Sequence, residues 1–286
     1  MMKTVELRKS RDFGDIISDT FKYIRVHFKT LGKGLFLFVF PVVIISGVLV
    51  SSSFMSVMDF ENFANPEAVD ANALAHQTGA FMGKFLLGML LFMLNFFLIY
   101  VIVFKHMKLV DSGVTDITPN MLVEDLPRNF FGIVVIMFVT GIATAIVFLF
   151  LIMPGIAMKF SLAPAIYIIE EENFSDALSR SWNTTKDYWW LTFGMNFVMS
   201  IIMNFTSYIF IIPMYFVIGI VTFASGGDGS KESIGFLISI LYGLSIVIPA
   251  LLYCIPIASQ AFVYFNIHER KTGRSMLERI ESLEDI

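Results

Sequence analysis

Charge is scarce in this chain: only 15% of its 286 residues are Asp, Glu, Lys or Arg, while 56% are hydrophobic. A soluble domain carries about a quarter charged residues and about 45–50% apolar ones, so this sequence has too little polar surface to dissolve. The mean hydropathy of +0.75 agrees, and the class indicated is a polytopic membrane protein. Cysteine is scarcer still. Cys254 stands alone, which excludes an intrachain disulfide framework. Basic excess is also missing, since the net charge is −4, and a nucleic-acid partner of the basic-patch kind is excluded with it. His27, His76, His106 and His268 are scattered without metal-ligand spacing. Neither a phosphate-cradling glycine loop nor a hydrolase-type serine elbow occurs, so no cofactor and no catalytic residue is expected.

Long apolar runs are what the chain does have. A helix crossing the hydrocarbon core needs about 20 apolar residues. Six runs approach or exceed that length: Gly34 to Phe54, Phe81 to Phe104, Phe130 to Met153, Gly155 to Ile169, Trp189 to Ile212 and Ile234 to Ile267. They are apolar on every side rather than alternating, which favours helices over a barrel. The fold class expected is all-α, a bundle of about six transmembrane helices in one integral domain. Residues 1–33 form a lead-in, 34–267 the bundle and 268–286 a tail.

Orientation follows from the basic residues, which favour the cytoplasmic side of short loops. All lysines and arginines except Lys84, Lys159 and Lys231 fall in segments that six spans place on one side. The stretch from Met55 to Ala80 holds Asp59, Glu61, Glu67 and Asp70 without a basic residue, and belongs outside. The expected location is a bacterial inner membrane with both termini cytoplasmic. The first span is expected to be an uncleaved signal-anchor, because the first apolar run begins only after Lys33.

Some runs fit the membrane poorly. The uncharged stretch from Trp189 to Ala224 is about 54 Å of helix, and Pro213 interrupts it. A span ending near Pro213 is expected, with the residues after it in the interface or re-entering the protein. Pro249 and Pro256 predict a kinked, extended last helix. Pro154-Gly155 predicts a tight outer turn joining the third run to a short fourth one.

Three segments outside the spans have helical periodicity. Phe13, Ile16, Ile17, Phe21, Ile24, Phe28 and Leu31 follow three-and-four spacing, with Lys22, Arg25 and Lys29 on or beside the other face. Phe174, Ala177, Leu178, Trp182 and Thr185 line a second amphipathic helix between spans four and five. Met276, Ile280 and Leu283, with capping-box spacing at Ser275–Glu278, mark a third in the tail. Such helices anchor the cytoplasmic rim or dock a lipid or partner.

Few polar residues lie within the runs, and no carboxylate does, which argues against ion-coupled transport. Lys159 is expected about 7 Å below the outer turn, as a snorkelling side chain, an anion or lipid-phosphate contact, or half of an ion pair. Asn95, Asn196 and Asn204 read as interhelical glue, and Gly141 with Ala145, then Gly235, Ser239 and Gly243, as close-packing positions. Pro164 could open the fourth span and free carbonyls for binding.

Pro154-Gly155, Lys159, Leu162-Ala163-Pro164, Glu170, Ala177-Leu178 and Ser179-Arg180-Ser181-Trp182 together resemble the pattern of the bacterial glycerophosphodiester phosphodiesterase membrane-domain family and related six-span inner-membrane proteins. The opening Arg11-Asp12-Phe13-Gly14-Asp15-Ile16-Ile17-Ser18-Asp19-Thr20-Phe21 is similar to that family's lead-in, and Tyr264-Phe265-Asn266 with Glu269-Arg270 to its closing segment. In the phosphodiesterases the membrane part accompanies a separate catalytic barrel. Here the membrane part uses all 286 residues, so the resemblance does not imply the hydrolase activity. It implies a scaffold or assembly subunit touching membrane lipids and other membrane proteins, with Lys159, Glu170, Arg180 and Ser181 as polar, lipid or anion contacts. A transporter or channel for an anionic or lipidic solute is the alternative.

Overall fold

The computed structural model of the chain describes residues 5–57, 71–150, 158–224, 241, 245 and 247–273. The turn expected at Pro154-Gly155 lies outside these residues. So do the glycine turn at 226–229, the small-residue positions Gly235, Ser239 and Gly243, most of the acidic outer loop and the helix of the tail. The side chains at 141 and 145 also fall outside what is described.

The described residues are all-helical, with no strand among them. The elements in order are α1 (Phe13–Val26), α2 (Phe28–Gly34), a π-helical turn (Leu35–Val39), α3 (Phe40–Val57) and α4 (Ala71–Asp111). A 3-10 turn (Pro119–Leu122) precedes α5 (Leu126–Phe150), α6 (Ala163–Glu170), α7 (Phe174–Thr185), α8 (Trp189–Ala224) and α9 (Cys254–Thr272). Among the described residues, four stretches are long and apolar enough to cross a membrane: Phe28–Ser53, Thr78–Asp111, Trp189–Val217 and Val247–Thr272. They answer to the first, second, fifth and sixth expected runs, and they make this an integral membrane protein by length and composition. The third run is helical within α5, where Phe130–Thr140 is a shorter apolar helix.

The helices depart from expectation at prolines and at their ends. Residues 158–160 are helical, a turn follows at 161–162, and α6 then runs for only eight residues, about 12 Å. The described part of the expected fourth span is therefore not one spanning helix. Pro164 accounts for the break: it lacks an N–H and its ring crowds the carbonyl four residues back, at Phe160, so the helix stops and restarts with proline in its first turn. Pro213 does not end the fifth run, because α8 continues through it to Ala224. A proline there removes one hydrogen bond, which a long apolar helix in a membrane can absorb. The last span breaks at Tyr253, between Pro249 and Pro256, and continues past Ile267 to Thr272. There Gly273 takes the left-handed conformation and its N–H closes the helix on the Glu269 carbonyl at 2.8 Å.

Packing divides the chain into two units. The first comprises Met1–Leu35, Phe97–Ile202 and Tyr253–Ile286, and the second Phe36–Phe96 and Met203–Leu252. In the first unit α1 packs on α9, α6 on α7 and α9, and α5 on both α6 and α7. Its buried side chains include Ile16, Tyr23, Leu31, Phe104, Phe262 and Phe265. The periodic apolar stripe of the lead-in is thus split. Ile16, Tyr23 and Leu31 are buried, whereas Phe13, Phe21 and Phe28 are exposed, because α1 is packed on protein along only one side. In α7, likewise, Ala177, Ser181 and Thr185 are buried, and Phe174 and Trp182 remain exposed.

In the second unit α3 meets α4 at Gly88. A Cβ added there would lie 2.8 Å from Val50 Cγ2 and 3.1 Å from the Val50 backbone nitrogen. Close backbone approach of this kind is how apolar helices gain packing contacts where lipid offers no hydrophobic driving force. Ser46, Ser51 and Ser53 of α3 return their hydroxyls to carbonyls three residues earlier, at 2.9, 3.1 and 2.6 Å, and so bring no unsatisfied donor into the unit. Gly88→Val is expected to destabilise the protein by about 1–3 kcal/mol, read as a lower melting temperature in mild detergent. Gly83→Ala, where nothing lies within 4 Å of the added carbon, should leave it unchanged or slightly raised.

Candidate functional site

The residues singled out by sequence meet in the first unit, around α6, α7 and α9. Glu170, at the end of α6, is ion-paired with Arg180 of α7 and accepts a 2.5 Å hydrogen bond from the Tyr264 hydroxyl of α9. Arg180 also reaches Glu172 at 3.0 Å. Glu171 closes α6 with a left-handed backbone, φ 58°, unusual for a residue with a Cβ. Its carboxylate binds Lys108 at 2.5 Å, a cation placed where the helix dipole favours one. Ser181 donates to the Lys159 carbonyl at 2.7 Å, and Thr185 also reaches that carbonyl, at 3.3 Å. The Lys159 ammonium lies 3.8 Å from the Trp182 ring centroid, a cation–π contact. Lys159 is therefore held against α7. The residues from Pro154 to Ala157, from which its depth below the outer turn is reckoned, lie outside the described residues.

The other polar candidates separate. Asn196 links three segments: its amide donates to Met158 Sδ at 3.6 Å and to the Thr192 carbonyl at 2.9 Å, and its oxygen accepts from Gln260 at 3.0 Å. Asn204 is exposed on α8. Asn95 of α4 is fully buried, yet among the described residues neither its amide nitrogen nor its oxygen has a hydrogen-bond partner. Pro164 is buried in the first turn of α6, where its missing N–H costs no helical bond.

The lead-in carries a second constellation that spacing did not reveal. Arg11 is 2% exposed. Its guanidinium donates to Asp19 at 2.8 Å and to the carbonyls of Leu7 at 2.8 Å, Lys9 at 3.0 Å and Glu6, and packs over the Phe262 ring at 4.9 Å. Its own backbone is held from α9. The Arg11 N–H donates to Asn266 Oδ1 at 2.8 Å, and Arg270 donates to the Arg11 carbonyl at 2.7 Å and to Asn266 at 3.2 Å. The opening and closing motifs, 255 residues apart, thus form one joint.

Beside it, Tyr23 and His106 approach at 2.5 Å between the hydroxyl and Nδ1, and His106 Nε2 meets the Thr30 hydroxyl at 2.9 Å. Thr30 in turn donates to the His27 carbonyl at 3.1 Å. One direction satisfies the whole chain: Tyr23 donates to Nδ1 and Nε2–H donates to Thr30, with His106 neutral. The His27 ring packs against both, tilted on Tyr23 at 4.5 Å and edge-on to His106 at 5.1 Å, and burial lowers its pKa. An adjoining cleft of about 770 Å³ is lined by His27, Thr30, Arg8 and Asp111 among others, with Arg8 and Asp111 locked in a bidentate pair at 2.7–3.0 Å. Histidines that looked scattered in sequence are neighbours here, although among the described residues no three potential ligands gather to hold a metal.

Compared with known proteins, the chain matches no family model, no curated protein and no solved structure. The arrangement itself shows what the charged groups do. Arg8, Arg11, Lys105, Lys108, Arg180 and Arg270 all bind carboxylates or carbonyls of other segments.

Two of these pairs set a pH dependence. The hydrogen bond from Lys105 holds the Asp125 carboxyl below its ordinary range, and that from Lys108 does the same for Glu171. A depressed folded-state pKa stabilises the fold above the unfolded value, near about 4, and that contribution is lost as pH falls through the folded value. Melting temperature should therefore decline as the pH falls below about 4. Asp125→Asn should lower it at neutral pH and flatten the acid decline, measured by thermal unfolding across pH.

Proposed function

We propose that this chain is a non-enzymatic scaffold or assembly subunit of a bacterial inner membrane, organising other membrane proteins and lipids around a rigid polar platform. One observation carries the reading: many charged side chains of the first unit are engaged in ties between segments, Arg8 to Asp111, Arg11 and Arg270 across α1 and α9, Lys108 to Glu171, and Arg180 to Glu170. Groups so engaged build a fixed surface rather than a reactive one, since a catalytic acid or base must reach its substrate.

In this reading the chain crosses the membrane six times, and the fourth crossing is interrupted at Ser161-Leu162. An even number of crossings is supported by the bonds between Arg11 and Asn266, which join the lead-in to the end of the last span, and a cytoplasmic position for that side is supported by its basic residues. Membership of the phosphodiesterase membrane-domain group is part of the proposal. It is supported by the meeting of residues from its three motif stretches: Arg11 with Asn266, and Glu170 with Arg180 and Tyr264. The role of Lys159, Glu170, Arg180 and Ser181 becomes that of fasteners.

A second reading, a channel or transporter, draws on Asn95. A buried amide with both atoms unpaired is costly in an apolar helix, and a passing polar solute would satisfy it. Affinity purification of the tagged protein in mild detergent separates these readings. The scaffold account expects a stoichiometric protein or lipid companion. A monodisperse protein without one, together with uptake of a solute into proteoliposomes that Asn95→Leu abolishes, favours the transporter.

A further inference from the structure

Among the exposed cations of the first unit, four form a single stripe. Lys22, Arg25, Lys29 and Lys33 are all exposed, and none has an ion-pair or hydrogen-bond partner among the described residues. Their spacing of three, four and four residues puts them on one stripe along α1 and α2. Phe21 and Phe28, 37% and 69% exposed, border that stripe. The opposite side of α1 is taken by protein, with Ile16, Thr20 and Tyr23 buried. The acidic residues of α1 lie toward its start, where Asp19 is already occupied by Arg11. The stripe therefore becomes wholly basic where it runs into the first candidate span, Phe28–Ser53, whose opening turns carry Lys29 and Lys33.

We propose that Lys22, Arg25, Lys29 and Lys33, with Phe21 and Phe28, form a binding stripe for anionic lipid headgroups at the membrane border. Charge complementarity and position choose this occupant. A cluster of at least four basic residues next to a span attracts anionic headgroups within a Debye length. Aromatic rings beside it enter the boundary between headgroups and acyl chains. Lysine and arginine stems at this depth can lie along apolar surface while their charges meet phosphate. A soluble phosphate would engage the charges but make no use of Phe21 and Phe28. The inference rests on the reading of the chain as an integral membrane protein and specifies the lipid that a scaffold of this kind would collect.

The test is lipid retention by the full chain in an uncharged detergent, read by native mass spectrometry as phosphatidylglycerol or phosphatidylcholine is titrated in. The stripe predicts preferential binding of phosphatidylglycerol. The fourfold variant K22Q/R25Q/K29Q/K33Q should weaken it by at least about tenfold, F21S/F28S should weaken it without changing the headgroup preference, and K186Q, at an exposed lysine off the stripe, should have no effect. The substituted side chains are exposed, so an unchanged melting temperature accompanies the loss. Equal retention of the two lipids, a fourfold variant that behaves like K186Q, or displacement by millimolar inorganic phosphate would each overturn the proposal. Carbonate extraction of membranes keeps the two ideas apart. Release of the protein would sink the membrane reading itself, whereas a retained protein with an indifferent stripe would sink only the lipid site.

Discussion

The buried guanidinium of Arg11 is the constraint on which the first unit depends. An arginine withdrawn from water is tolerated only when its donors are satisfied, and here every bond it makes ties a different part of the lead-in into place. Its planar, multi-donor head suits that task in a way a lysine does not. Because the backbone of the same residue is gripped by Asn266 and Arg270, one position couples the path of the lead-in, the seating of α1 and the end of the last span. The Tyr23–His106–Thr30 chain and the Arg8–Asp111 pair attach the far end of α4 to that assembly.

A second economy follows from the scarcity of charge. With few ionic groups in the chain, their placement carries much of its organisation. Pairs of this kind contribute little when fully exposed and more when partly buried. Asp111 and Glu170 are largely withdrawn from water, whereas Glu171 is half exposed. The ties at Asp111 and Glu170 are therefore the ones to which rigidity is owed. Lys22, Arg25, Lys29 and Lys33 stand outside this network, and their freedom is what marks the stripe they form as a surface for something else.

Much of the architecture was legible in the sequence. Apolar runs near the membrane thickness produced helices at the first, second, fifth and sixth positions, because run length depends only on composition and bilayer dimensions. Prolines were read with mixed success. Pro249 and Pro256 bracket the break at Tyr253, and Pro164 lies at the interruption of the fourth run, but Pro213 is carried inside a continuous helix. What a proline does depends on whether neighbouring segments re-satisfy the backbone, and that is a tertiary property. For the same reason the lead-in periodicity identified the helix but not which phenylalanines would be covered. The joint between Arg11 and Asn266 spans 255 residues, and no local pattern encodes such a contact.

The central claim, that the lead-in is locked to the last span through Arg11, is tested most directly by the unfolding free energy of Arg11→Met in mild detergent. The account predicts a loss of about 3–5 kcal/mol, the cost of breaking one side of a buried charged network, with Asn266→Ala destabilising the same transition and the double variant less than additive. A change below about 1 kcal/mol, the scale of an exposed ion pair, with strictly additive effects, would contradict it.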